Sequence, residues 1–376
     1  MDTIIRITEY FADVETVKDH NGYFCSVGEA LTIVMLGSLC GLKNVSQISP
    51  WAANERVKSF LAEHFRIARI PCYYWLLCLL KLIKPRSLNQ CLTRWAQSLV
   101  PAGMQGMTIA FDGKTIRSTG KMDAYDSPLH LVSAQLAELG ITLAGLKTDG
   151  KSNEIPAVRE LIGMLEVAGC MIVADAMHCQ KETAALIGEK QADYLFSVKD
   201  NQPTLKKELE AYVQDDARRS SMDTFATSEN NGGRIEERTG LVTHDVDWLS
   251  GKGEWKNLSC IGAIHREFTY KGTTTDEWQY YISSRELTAE SLLQRARLEW
   301  SVETMHWLLD VHFGEDYCRI EDENVQQVLN AVRKIALNGI KTHKAKTKSK
   351  LPLSKIMFNC LLDCEKLIPV LLSAEN

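Results

Sequence analysis

Two short apolar runs in this chain each end in an aspartate. The first is Met-Thr-Ile-Ala-Phe-Asp, residues 107–112, and the second is Cys170 to Ala174, followed by Asp175. Read as parallel neighbouring strands joined by a helix over 155–168, they would deliver Asp112 and Asp175 to the same sheet edge. Open α/β sheets bind ligands outside the carboxyl ends of their strands. Two acids placed there repel each other unless a cation lies between them. Hard oxygen ligands with room for water suit magnesium. Either aspartate alone reads better as a turn residue, so the chemistry needs a third ligand. The segment ARLEWSVETMHWLLDVHFGEDYCRI, residues 296–320, offers candidates. On one helix, Glu299, Glu303, His306, Trp307 and Asp310 share a side at three- and four-residue spacing. Leu298, Val302, Met305 and Leu309 lie opposite. The plain alternative is an exposed polar face, and spacing does not choose among the acids.

The elements that position these residues change character along the chain. Residues 1–103 read as a helical N-terminal domain, in which no clear recognition helix for DNA stands out. Apolar residues recur in Ala30–Leu42, Val57–Phe65, Tyr73–Ile83 and Leu88–Leu99, with Gly41, Pro50, Pro71 and Pro85 as breakers. Pro101 and Gly103 mark a boundary. Strands are expected at 107–112, Leu129–Leu136 and Ile141–Leu146, with a turn at Gly140. A helix start follows at Asn153, Glu154 and Pro156, with Gly169 at its end. Cys170–Ala174 and Tyr194–Val198 are further strands, with a helix between them through Leu186. Strands alternating with helices imply an α/β domain with parallel pairing. Residues 200–220 read as helical. Residues 225–285 take on β texture, from Gly232-Gly233 through the alternation of Leu241, Thr243, Asp245 and Asp247, and the helical pattern resumes at Thr288. A β insertion therefore interrupts the α/β domain, whose parts are 104–224 and 286–345, with a C-terminal tail at 346–376.

Composition is that of an ordinary globular protein. The chain has 376 residues, 45% apolar and 24% charged. The apolar runs Ala30–Leu42 and Ile70–Leu80 are too short to span a bilayer. The N-terminus has no basic stretch leading into an apolar run, so no secretory signal is expected. Eleven cysteines without a Cys-x-x-Cys pair argue against zinc and for reduced thiols in a cytoplasmic protein. The net charge of −5 runs against a DNA-binding role. Locally, residues 331–356 hold eight Lys/Arg and no acid, with Lys341, Lys344, Lys346, Lys348 and Lys350 prominent. That stretch suits DNA or a solvated tail equally.

Several motifs now support a family. FDGKTIR (111–117), KSNEIPAV (151–158), VADAMHCQKETAALI (173–187), DYLFSVKDNQPTL (193–205), GGRIEERTG (232–240), YYISS (280–284), VETMHWLLDVHFGED (302–316) and RKIALN (333–338) occur in order. Over roughly residues 25–340 the chain resembles insertion-sequence transposases of the DDE type, in the group of H-repeat-associated proteins. The resemblance implies a ribonuclease-H-like catalytic domain with a β insertion. It maps the catalytic and metal-holding acids onto Asp112, Asp175 and Glu303. It also implies two divalent ions, Mg2+ with Mn2+ as a substitute, double-stranded DNA as partner, and a homodimer on DNA; no membrane partner is expected. Basic residues near the acids then read as phosphate contacts: Lys114, Arg117, Lys199 and Arg297, each also readable as plain surface charge. Departures stand out. Glu299 falls where the family has His, Thr304 where it has Asn, and Asp310 where relatives carry a basic residue.

Two rivals remain. A degenerate, catalytically inactive transposase-like DNA-binding protein would keep the fold and lose turnover. An ATPase is suggested by Gly145 to Ser152, which fits a phosphate-loop pattern. Against it, the best helix start is Asn153 to Pro156, and Asp149 puts an acid where phosphate should sit.

Overall fold

The computed structural model describes residues 5–19, 23–100, 103–122, 127–148, 153–231, 234–270 and 272–374. Pro101, Gly232-Gly233 and the Asp149–Ser152 part of the phosphate-loop pattern lie outside them.

The N-terminal helices are α1 (Ile5–Ala12), α2 (Val27–Leu39), α3 (Val45–Ala52), α4 (Glu55–Phe65), α5 (Tyr73–Leu82) and α6 (Pro85–Ser98). Ser26 and Glu29 cap α2 reciprocally, each side chain bonding the other's backbone N–H. The membrane-like run is a core helix: Ala30 to Leu39 is buried on every side. Pro50 does not break the chain as expected but sits inside α3, a helix the apolar pattern did not reveal.

Nine strands form one sheet among the described residues: β1 (Thr108–Thr115), β2 (His130–Leu136), β3 (Ile141–Thr148), β4 (Met171–Ala174), β5 (Asp193–Val198), β6 (Asp223–Asn231), β7 (Arg234–Thr243), β8 (Cys260–Tyr270) and β9 (Thr273–Ser283). Their order is β3-β2-β1-β4-β5-β9-β8-β7-β6. β1, β4 and β5 run parallel, whereas β2, β3 and β9 are antiparallel to their neighbours. Helix α7 (Glu154–Met164) precedes β4, and α8 (Lys181–Glu189) joins β4 to β5. Helices α9 (Pro203–Gln214) and α10 (Asp216–Ser220) lead into the inserted strands. These strands are not a separate layer, because β9 pairs with β5 and continues the sheet. Gly145 lies within β3, and a Cβ there would meet the Lys334 ammonium at 2.6 Å. The first glycine of the phosphate-loop pattern is thus a packing position in a strand, which removes the ATPase reading.

Helices α11 (Ala289–Leu298), α12 (Ser301–Phe313), α13 (Glu323–Thr347), α14 (Leu353–Leu362) and α15 (Leu367–Ser373) complete the chain. α13 packs against α2, α5, α6, α15 and β3, so one core runs from Phe11 to Ala374. Arg333 and Lys334 are buried on it. The basic stretch at 331–356 is therefore not one surface patch; Lys346, Lys348, Lys350 and Lys355 are its exposed part.

Gly113, in β1, shows how tightly the sheet is covered. A Cβ there would lie 2.6 Å from the Glu154 carboxylate and the His130 ring. Gly113→Ala is expected to cost about 1–3 kcal/mol through overpacking. Urea unfolding followed by fluorescence reads this, and an unchanged midpoint counts against it.

Candidate active site

The strand register brings the two aspartates together. Phe111 pairs with Ala174 across the parallel β1–β4 ladder, so Asp112 and Asp175 are the next residues of adjacent strands. Backbones of neighbouring strands lie about 4.8 Å apart. β1 continues through Asp112 to Thr115, whereas β4 stops at Ala174. Asp175 caps a 3-10 turn over Ala176–His178, its Oδ1 accepting from the Ala176 N–H at 2.7 Å. The Lys199 ammonium, just beyond β5, donates to the same oxygen at 3.1 Å. Burial alone would raise the Asp175 pKa, but Lys199 and the Ala176 N–H outweigh it and hold the carboxyl below its ordinary range.

The third acid comes from α12, which packs on β1. His306 Nδ1 lies 3.3 Å from Asp112 Oδ2 and ties the helix to the strand. Glu303, one turn before His306, is exposed. The helix expected across 296–320 is interrupted at Glu299 and Trp300. Glu299 therefore lies outside α12; it is the C-cap residue of α11. Burial, then the charges of Asp175, Asp112 and Glu303, push its pKa up to about 7, with Lys199 opposing. One carboxyl thus feels all three predicted acids at once.

Glu299→Gln is expected to stabilise the protein progressively as pH rises above about 4.5, reaching its full effect above about pH 7. A carboxyl whose folded pKa is raised loses stability as pH climbs from its unfolded value of about 4.5 through about 7. Thermal midpoints of wild type and variant should coincide near about pH 4 and separate near about pH 8, with the variant higher. Equal gaps at both would contradict this.

The cations read as phosphate contacts separate. Lys114 is a correction: it is 12% exposed and held by Asp310, by Glu315 at 3.1 Å and by Asp316 at 3.9 Å. A buried ammonium with three acid partners is not open to a phosphate. Asp310 is thus one of its partners. Arg117 is 85% exposed, 3.5 Å from Asp316. Arg297 is half exposed and paired with Glu229. Glu236 joins Arg238 at 2.7 Å and also Arg266, whose guanidinium lies 5.8 Å from the Trp300 ring centre. Glu236 and Arg238, within the GGRIEERTG motif, thus link the inserted strands through Arg266 to the segment before α12. A cavity of about 310 Å³ opens there, lined by Lys199, Arg238, Trp278, Tyr281, Arg297 and Glu299.

Among the described residues, no three Asp, Glu, His or Cys side chains close around a single point as a bound metal requires. The donor set nevertheless fits a hard divalent ion. Asp112, Asp175 and Glu303 supply only oxygen ligands, and the Lys199 ammonium already sits on Asp175 as its cation. All eleven cysteines are free thiols, and Cys72 and Cys78 alone are exposed. Among the described residues, no helix is long and apolar enough to cross a membrane.

Sequence reasoning missed His306 as the Asp112 partner and the buried His130, Glu154 and His178 behind both aspartates. His178 follows Asp175 by three residues and Glu154 lies in a quoted motif, so a signal existed.

Known proteins match this chain along most of its length. A family profile described as "Transposase DDE domain" matches residues 104–338. The protein YbfL of Escherichia coli K12 is 34% identical over 282 residues, 73% of this chain and 74% of that protein. "H repeat-associated putative transposase YhhI" of the same strain is 31% identical over 333 residues, 85% of this chain and 86% of that protein. A solved piggyBac transposase synaptic complex with hairpin DNA aligns at a TM-score of 0.45 and 10% identity, over 98% of this chain and 81% of that one.

Proposed function

The chain belongs to the DDE-domain transposase family, in its H-repeat-associated group, and on that premise we propose that it cuts and joins DNA strands through Asp112, Asp175 and Glu303. The observation that carries this reading is the register. Asp112 and Asp175 end up side by side on parallel strands, and His306 fastens the helix bearing Glu303 to Asp112.

In this reading, divalent ions held at the site supply Lewis-acid activation of an attacking oxygen and stabilise the leaving oxygen at phosphorus. Asp112, Asp175 and Glu303 hold them as oxygen ligands and need not carry protons. Lys199, which lies on Asp175 in this structure, would serve a phosphate of the DNA at the same site. Arg117 and Arg297 serve the DNA backbone, Arg297 after release from Glu229. The β3-β2-β1-β4-β5 half of the sheet supports a ribonuclease-H-like catalytic domain over 104–224 and 286–345, with 225–285 as insertion. We assign double-stranded DNA of element ends and target as the partner, with residues 1–103 contributing to binding and two copies acting together on DNA.

The test is strand cleavage of duplexes carrying the element ends, with Mg2+ or Mn2+ and with chelator. Metal-dependent cleavage supports the reading. DNA binding without cleavage in either metal favours the inactive, DNA-binding alternative, which the acids Glu299 and Asp310 at divergent positions motivate.

A further inference from the structure

Behind the aspartates lies a buried set of polar groups that the reaction above does not use. Glu154, the first residue of α7, is 4% exposed. Its Oε1 lies 2.6 Å from His130 Nε2 on β2, and its Oε2 lies 4.0 Å from His178 Nε2. His130 Nδ1 lies 2.8 Å from the Thr115 hydroxyl on β1. A carboxylate this deeply buried needs partners; His130 reaches the Asp112 strand through Thr115, and His178 lies in the turn that Asp175 caps.

On one side, Glu154 and His130 pack against bare Gly113, the residue after Asp112; a Cβ there would lie 2.6 Å from both. On the other side, His178 closes the 3-10 turn that starts at Asp175, its N–H donating to the Asp175 carbonyl at 2.8 Å. One buried carboxylate therefore abuts the backbone beside one aspartate and the side chain ending the other's turn.

We propose that Glu154, with His130 and His178, is a clamp that sets the spacing of Asp112 and Asp175 for a divalent ion. It rests on the reading of those aspartates as metal ligands. Glu154 is a positioning residue: it meets neither metal nor DNA and acts by holding β1 and the turn after β4 in register. Groups that orient metal ligands typically change metal affinity or turnover by about 10–100-fold when replaced.

The experiment uses the full chain and Mn2+ itself, with free ion counted by electron paramagnetic resonance well below the unfolding temperature. Glu154→Gln keeps the side chain's size and removes its charge. Mn2+ affinity and cleavage kcat are expected to fall about tenfold or more, with the KM for DNA unchanged. A purely structural knot would lower the thermal midpoint and leave Mn2+ affinity alone. His178→Gln loosens the other arm and decides the matter if Glu154→Gln does not fold. Folded variants with Mn2+ affinity and kcat within about twofold of wild type overturn the clamp. Asp175→Asn separates the two ideas. If it leaves Mn2+ binding intact, the metal-site reading itself fails; if it abolishes binding while Glu154→Gln does not weaken it, only the clamp fails.

Discussion

Asp175→Asn is expected to lower metal-dependent strand cleavage at least about a thousandfold, equivalent to about 4 kcal/mol of transition-state stabilisation. The substitution is nearly isosteric, so the turn it caps should survive, and Asn can still accept from the Ala176 N–H. What disappears is the charge that Lys199 balances in this structure. Asp112→Asn should behave alike, with a further signature: His306 loses an anionic partner and the α12–β1 contact weakens. Glu303 is exposed and sits in the first turn of its helix, so Glu303→Gln should cost activity and almost no stability. Cleavage assays in Mg2+ and in Mn2+, each beside a thermal unfolding curve, separate these effects. Wild-type rates in Asp175→Asn would end the case for a carboxylate metal site.

Glu315→Ala is expected to destabilise the fold by about 3–5 kcal/mol, the range for removing one partner of a buried ion pair. Glu315 has no solvent exposure. It accepts from Asn330 at 2.7 Å and from Lys114 at 3.1 Å. Burial alone would raise its pKa, but Lys114, Arg333 and Lys334 outweigh that and hold it below its ordinary range. Lys334, also fully buried, keeps only the Ser133 hydroxyl at 2.9 Å as a hydrogen-bond acceptor among the described residues, and burial pulls its pKa down to about 8. Removing Glu315 would leave Lys334 without its main countercharge. Glu315→Ala with Lys334→Met should then cost less than the two single losses combined, since the neighbours are coupled. Denaturant midpoints for the four proteins give the comparison; strict additivity would show that the two do not interact. The pH sign is also set. A carboxyl held low in the fold contributes stability above about pH 4.5, lost as pH falls through its folded pKa. Wild type should therefore weaken in acid more steeply than Glu315→Ala.

Much of this was legible in the sequence. Apolar runs of four to six residues ending in acid, and a helix signal at Asn153, Glu154 and Pro156, located the starts of β1, β4 and α7 to within a residue, although β1 runs on to Thr115 and α7 ends at Met164 rather than near 168. Strand and helix periods are local properties, written in neighbouring residues. Motif order located the family for the same reason. Helix α3 was hidden because Pro50 reads as a breaker, while Asn44 caps the helix start and burial of Val45 and Ile48 holds it.

The two aspartates carried their own signal, because each closes an apolar strand; the family resemblance added Glu303. What the chain's local pattern could not decide was which charges would meet. Lys114 lies two residues from Asp112 yet turns to Asp310, Glu315 and Asp316, some two hundred positions on. Glu299 shares helical spacing with Glu303, but the break at Glu299 and Trp300 places it at the end of another helix. Such pairings depend on burial and on which elements stack. Desolvation makes a lone buried charge costly, so the folded chain brings each to a partner that sequence distance does not predict. The acids were thus set by the sequence, while their neighbours — Lys199 on Asp175, His306 on Asp112, and Glu154 behind both — were set by the packing of the sheet and its helices.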